Sequence, residues 1–400
     1  MRKLATIFLL LAILPPSGIK TYGGPHPDEL RRIELAPAGY ALAGYTTTEN
    51  GEDGWFLLVD GKGEIRWERT YGGPGNERIF DLVRVEDGWV LAGYTTSRGS
   101  GWRDFWLVKT DHEGREEWEN TYGTEFSDRA YAVLEVEGGY LLVGESDTPD
   151  RGWDAMVVRI DEKGAELWRK KFGGIENDSI RAVLPAKDGY LLIGYTNSKG
   201  AGGEDGWVVK MDANGEISWE KTFGERWDER FYGGISTGDR FVLVGYAYSP
   251  ESRRNVYVVC MNEEGKEIWS RRFGGPHDEE GWAIRQEGEG FVVAGWTGSY
   301  GEGLSDAYLL KLDVSGKLEW SRTVGGKGED FAYDVTKTGG DYVLVGSTKS
   351  WGEEGDGMLC FVQPPSRPFQ FPLFLIGTVA VILAVLTARR IVAWRRSRKV

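Results

Sequence analysis

Between residues 19 and 363 the apolar residues come in short bursts and never as a long helical stripe. One stretch shows the pattern. Ile79 to Val85 alternates apolar and polar, Asp87-Gly88 interrupts it, and WVLAGYT (Trp89 to Thr95) follows. A Gly/Ser-rich stretch then leads to Phe105 to Thr110, and Asp111 to Gly114 breaks the chain again before Glu116 to Tyr122. Short runs rich in aromatic and β-branched residues, bounded by Gly and Asp, predict strands, here four to a unit joined by turns.

The unit recurs. VDGKGEIRW, KTDHEGREEW, RIDEKGAELW, KMDANGEISW, CMNEEGKEIW and KLDVSGKLEW each place Asp or Asn, then Gly three positions on, then Trp four after that. Their tryptophans are Trp67, Trp118, Trp168, Trp219, Trp269 and Trp320, so the period alternates between 50 and 51 residues. The second strand of each unit ends in a glycine, and these count seven: Gly44, Gly93, Gly144, Gly194, Gly245, Gly295 and Gly346. Seven repeats of four short antiparallel strands predict an all-β, seven-bladed β-propeller, a ring that leaves its sheet edges protected. The seventh unit lacks its Trp-bearing strand, while the chain opens on IKTYGG (19–24), which matches RTYGG (69–73). The first segment is therefore expected to complete the last blade.

Outside the repeats the pattern changes. Arg2 and Lys3 precede an apolar run from Leu4 to Leu14 that Pro15 and Pro16 end, so residues 1–18 read as a secretory signal peptide. Residues 364–370 (PPSRPFQ) read as a linker. Phe371 to Ala388 is eighteen residues without a charge, followed by Arg389, Arg390, Arg395, Arg396, Arg398 and Lys399. That is the pattern of one transmembrane helix with a basic cytoplasmic tail at 389–400. The expected protein is thus a propeller of residues 19–363 held outside the cell by a single C-terminal anchor. Scarce amides (3 Gln, 8 Asn) beside abundant Glu, Lys and Arg resemble the composition of hyperthermophile proteins. A net charge of −14 excludes a nucleic-acid-binding face. Two cysteines in non-neighbouring units, Cys260 and Cys360, predict neither a disulfide nor a metal site.

The D-x-x-G-x-x-x-W units resemble the tryptophan-docking motif of the quinoprotein (PQQ-like) propellers over about 345 residues. In that family the outer-strand Trp packs against the neighbouring blade, so the resemblance implies interblade packing for Trp67, Trp118, Trp168, Trp219, Trp269 and Trp320. The chain departs from the family's enzymes in having seven units instead of eight and no adjacent cysteine pair.

Two sets of residues carry candidate chemistry. Asp28, Glu77, Asp128, Asp178, Glu229, Glu279 and Asp330 each follow the Gly-Gly turn or its equivalent. They either crowd a channel mouth or, since every unit has one, accept backbone N–H bonds in the turn, and the turn role is the reading preferred here. A second acid per unit, Asp53, Asp104, Asp154, Asp205, Asn255, Asp306 or Asp356, reads the same way. The residues that break the symmetry lie in the loops between second and third strands and in the Gly-Gly turns: Trp102, Arg151, Trp153, Arg253, Arg254, Tyr300, Trp351, Trp227, His26 and His277. Strand direction puts both loop types on one face, and exposed aromatics beside polar groups suit recognition of a sugar or a protein. Three histidines in all offer no metal-ligand spacing and no Ser/His/Asp arrangement, so no metal or cofactor is expected. The function expected is a recognition module for a polysaccharide, a peptide or an envelope protein. The alternatives are an envelope scaffold and a quinoprotein-like oxidoreductase.

Orientation follows from the strand count. The last strand, ending at Val362, runs toward the face of the tight turns, and residues 363–370 extended reach at most about 29 Å, too short to wrap the rim. The tight-turn face is therefore expected to look at the membrane. In intact cells carrying Ser100→Cys or Lys163→Cys, with both native cysteines changed to serine, a bulky impermeant thiol reagent should label position 100 faster.

Overall fold

The computed structural model describes residues 18–49, 51–352 and 355–365. The segments expected to be a signal peptide (up to residue 17), a transmembrane helix and a basic tail, with most of the expected linker, lie outside the described residues. Among those described, no helix is long and apolar enough to cross a membrane. The compact unit that the repeats build ends at Val362.

Seven four-stranded antiparallel sheets follow one another, and the first six each run inner, second, third, outer in chain order. The inner strands are Glu29–Ala36, Glu77–Val85, Asp128–Val136, Asp178–Ala186, Glu229–Ser236, Glu279–Glu287 and Asp330–Thr338, and each lies beside the next around the ring. This is the all-β, seven-bladed propeller that the repeat predicts. Blade 7 takes its outer strand from the other end of the chain. Ile19–Tyr22 pairs antiparallel with the last strand, in the register Ile19↔Cys360 to Tyr22↔Gly357.

The hydrophobic core is divided among the seams between blades. One cluster joins Phe56 and Tyr71 of blade 1 to Trp89 and Trp106 of blade 2, with Trp67 packed on it, and the other clusters repeat that arrangement around the ring. The turn that precedes the Trp strand explains the repeated motif. Asp111 Oδ1 accepts the N–H groups of Glu113 and Arg115, and Gly114 takes φ 71°, a conformation that favours glycine. The same glycine receives the tryptophan of the preceding blade, because a Cβ on Gly114 would stand 2.7 Å from the Trp67 ring. Trp118 meets Gly164 in this way, Trp168 meets Gly215, Trp219 meets Gly265 and Trp269 meets Gly316. Asp and Gly shape the turn of one blade, and Trp of the previous blade lies on it. Trp320 faces a blade without such a turn and packs edge-on against Tyr342 at 5.4 Å instead.

A second link runs beside the first. The hydroxyls of Tyr71 and Tyr122 donate to the carbonyls of Gly114 and Gly164 in the next blade, at 2.6 and 2.8 Å. Tyr22 in the short N-terminal strand does the same to Gly63 of blade 1, at 2.7 Å. The closing strand therefore holds the third strand of blade 7 on one side and blade 1 on the other. Cys260 and Cys360 are both buried and unpaired.

Deleting residues 19–24 should bare the edge of Asp356–Val362 and remove the Tyr22 link. A sharply lowered Tm by calorimetry is the expected result, and an unchanged melting curve would refute the closure.

Candidate binding site: the central channel

The seven glycines of the second strands lead to the site. Each stands opposite an inner-strand residue just before a break in register, as in Ile79↔Gly93 followed by Asp81↔Ala92. A Cβ on any of the seven would overlap the backbone carbonyl of the facing inner strand, such as Arg78 O for Gly93 or Arg230 O for Gly245. Only glycine allows the two backbones this close. The inner strand then carries one extra residue, a β-bulge, which turns that side chain out of the ladder.

The bulged residues are Arg31, Phe80, Tyr131, Arg181, Tyr232, Trp282 and Tyr333, one per blade. All seven line one cavity of ≈ 620 Å³ along the ring axis. They touch one another as a collar. Tyr232 stacks on Trp282 with ring centres 4.4 Å apart, and Trp282 meets Tyr333 edge-on at 5.2 Å. The Arg31 guanidinium lies 4.0 Å over Tyr333 and 5.4 Å over Trp282, while Phe80 approaches Tyr131 at 5.3 Å. Arg181 lies 3.8 Å over Tyr131. Burial pushes the Tyr131 and Tyr333 hydroxyls up to about 12, so both stay protonated and can donate hydrogen bonds.

The two sides of the collar differ. Toward the tight turns, Arg32 pairs with Asp81 at 2.6 Å and Arg285 with Asp334 at 2.9 Å. The opposite wall there is aliphatic, with Ala132, Leu134, Ala182, Leu184 and Pro185. The two aspartates also tie blades together, since Asp81 accepts the Val133 N–H at 2.9 Å and Asp334 the Ile33 N–H at 3.3 Å. Toward the loops the channel is guanidinium-rich: Arg78, Arg103 and Arg129 line it with Tyr94.

The acids that follow the Gly-Gly turns lie elsewhere. Asp28, Glu77, Asp128, Asp178, Glu229, Glu279 and Asp330 are all buried in the seams and do not line the cavity. Each accepts the N–H four residues earlier, as Glu77 does from Gly73 at 2.8 Å and Asp178 from Gly174 at 2.7 Å. Thr95 and Thr297 add their hydroxyls to Glu77 and Glu279 at 2.6 and 3.0 Å. The second set of acids reaches the same turns. A Cβ on Gly72 would meet both Asp53 and Glu77, so two carboxylates flank one glycine across the seam. Burial, then the Glu77 charge, raises Asp53, and burial raises Asp104 and Asp306 likewise.

The loop residues do not converge. Trp102 is 84 % exposed on blade 2, while Tyr300 on blade 6 is half-exposed and donates its hydroxyl to Gly274 O at 2.9 Å. Trp227 lies edge-on to Tyr248 in the turn before blade 5. Trp351 differs from the expectation of an exposed loop aromatic. It is buried, because its chain folds back over the Gly326 turn and the ring joins the blade 6–blade 7 core. Arg151 is exposed, and Trp153 lies under Arg129 at 4.6 Å. Arg253 reaches Asp278 at 3.2 Å, and Arg254 reaches Glu280 at 2.8 Å. His26 and His277 sit in the turns before blades 1 and 6, two blades apart around the ring. Among the described residues no three His, Cys, Asp or Glu side chains gather as metal ligands would.

No protein-family model matches the chain, and no curated protein matches it. The resemblance to quinoproteins accordingly rests on the repeat alone. Solved structures are similar in fold. The WD40 propeller domain of Doa1 aligns with a TM-score of 0.52 at 13% identity, covering 88% of this chain and 98% of that one. The propeller domain of the Trilobed protease from Pyrococcus furiosus gives 0.48 at 11% identity over 87% and 99% of the two chains. An acylaminoacyl peptidase from Pyrococcus horikoshii gives 0.47 at 12% identity over 83% of this chain, which spans about half (51%) of the peptidase's length. The class of protein is therefore a seven-bladed β-propeller.

One seam acid gives a pH test. Burial pushes Glu229 up to about 7; the charges of Asp205 and Glu225 add to this, and the Glu225 N–H and Arg272 oppose it. An unfolded glutamate ionises near its ordinary value of about 4.3, so keeping Glu229 charged in the fold is unfavourable above neutrality. That cost is relieved as pH falls through the folded value. Stability should rise from about pH 8 to about pH 5, and Glu229→Gln should flatten part of that rise in urea denaturation at each pH.

Proposed function

We propose that this protein is a recognition module whose ligand enters the central channel from the loop face. The observation that carries the reading is the collar. Seven bulges, each matched by a glycine, spend backbone regularity to aim five aromatics and two arginines into a single cavity. The cavity falls in the range of small-ligand sites, about 300–1,000 Å³, which also hold the end of a peptide or glycan chain. Aromatic faces, protonated phenols and ion-paired guanidiniums are groups that bind, and propellers of this architecture commonly serve as protein-interaction modules.

The sequence supports a cell-surface setting for this activity, through the apolar segment 371–388 and the basic residues after it. With the chain leaving from the tight-turn face, the arginine-rich mouth would look away from the membrane, toward a partner.

A glycan and peptide array probed with the full-length protein in detergent micelles tests the reading. A ligand found there should bind at least roughly tenfold more weakly to Trp282→Ala and remain with Trp102→Ala, since buried aromatics dominate binding energies. A ligand lost with Trp102→Ala and kept with Trp282→Ala would place recognition on the rim and overturn the proposal.

A further inference from the structure

The loop-side layer of the channel is built from one pair of positions repeated at each seam. The residue just before the third-strand Asp or Asn of one blade faces the residue two before the inner-strand bulge of the next, and a backbone hydrogen bond runs beside them. Asp128 donates its N–H to Arg103 O, and Glu229 to Glu204 O, both at 2.7 Å. At three seams these positions hold opposite charges that pair: Glu52 with Arg78, Glu204 with Arg230, and Arg254 with Glu280. Three further seams hold no opposite charges there (Trp153 with Ser179, Ser305 with Phe331, Gly355 with Glu29), and the seam between blades 2 and 3 holds two like ones. There the same two positions hold Arg103 and Arg129, and both line the cavity.

The surroundings do not neutralise them. Arg129 pairs with Glu145 at 3.0 Å, but Glu145 also serves Arg181 at 3.3 Å and the Tyr131 hydroxyl at 2.7 Å. Arg103 has no ion pair among the described residues, and its guanidinium lies 5.2 Å over the Tyr94 ring. The acids of the seam, Asp104 and Asp128, are engaged by the N–H groups of Gly101 and Thr124 in their own turns. The Nε–H groups of Arg103 and Arg181 are buried without an acceptor. Arg129 and Arg181 thus share one carboxylate and Arg103 has none, in a chain of net charge −14.

We infer that the seam between blades 2 and 3 is a receptor for a carboxylate, supplied by a Glu or Asp side chain of a peptide partner. The inference rests on the channel being the recognition site. At the three paired seams the arginine is held by a glutamate of the chain itself, so an incoming acidic side chain would complete a fourth pair in the same way. Planar guanidinium forks match a carboxylate bidentately, and the collar's aromatics flank the approach. The acidic remainder of the surface repels anions that cannot reach the arginines.

The test uses the full-length protein in micelles and fluorescein-labelled hexaglutamate, read by anisotropy. Hexaglutamate should bind, more weakly as salt is raised. Arg103→Glu installs the ion pair found at three other seams, so it should keep or raise Tm while weakening the peptide at least roughly tenfold. Arg103→Gln should weaken it without adding the pair. Lys163→Glu makes the same charge change on the tight-turn face and should alter binding by less than about twofold. Equal losses from Arg103→Glu and Lys163→Glu, or no loss from either Arg103 variant, would overturn the inference. So would Arg103-dependent binding of an oligogalacturonate where hexaglutamate fails, which would make the partner an acidic glycan. If hexaglutamine alone binds and Trp282→Ala removes it, the channel stands and the carboxylate falls. If no probe depends on Trp282, both fall.

Discussion

The tightest constraint in the molecule is the contact between a backbone and a glycine. In every blade a second-strand glycine lies against the inner strand where any Cβ would overlap a carbonyl oxygen, and the inner strand bulges there. The bulge decides which side chains see the axis, hence what the channel is made of. It also opens the ladder, and Asp81 and Asp334 close two of the gaps by accepting N–H groups from the neighbouring blade. A single steric requirement, repeated seven times, thus sets the collar, part of the interblade bonding and the shape of the cavity.

The architecture was largely legible because its determinants repeat. Trp at a fixed distance from Asp and Gly records a contact between blades, and a periodic contact leaves a periodic trace. The missing seventh Trp strand and the stray IKTYGG predicted the pairing of Ile19–Tyr22 with the last strand. The site was legible only in part. Gly44 and its six equivalents were used to count blades, and the same residues mark a bulge on the facing strand. The bulged positions themselves hold Arg, Phe, Tyr, Arg, Tyr, Trp and Tyr, which share no residue type and so leave no motif. Without knowing which strand is innermost, nothing distinguished Trp282 from Trp102. One is in the collar and the other 84 % exposed on a loop.

Charge follows a different logic from packing. The apolar contacts are nearly alike from seam to seam, because each blade must fit the next. The ion pairs on the loop side are not all of one polarity: Glu52 pairs with Arg78 and Glu204 with Arg230, whereas Arg254 and Glu280 have the roles exchanged. Their positions are conserved by geometry while their identities drift. A ring of similar blades can therefore carry two like charges at one seam without disturbing its fold, and that seam lies at the mouth of the cavity.

The closing strand imposes an order in time. Ile19–Tyr22 is made before any of the blades, yet its partners at Gly357–Cys360 are made some three hundred and forty residues later. Blades 1 to 6 are each complete as soon as their own four strands exist, and contacts this local form early. The first segment must stay extended and unpaired until the last blade arrives. Until then the growing ring exposes two open flanks, the side of blade 1 that awaits blade 7 and the bare apolar side of the newest blade. The piece that ends that state is the chain's own early segment, which pairs with the last strand and links to blade 1 through Tyr22.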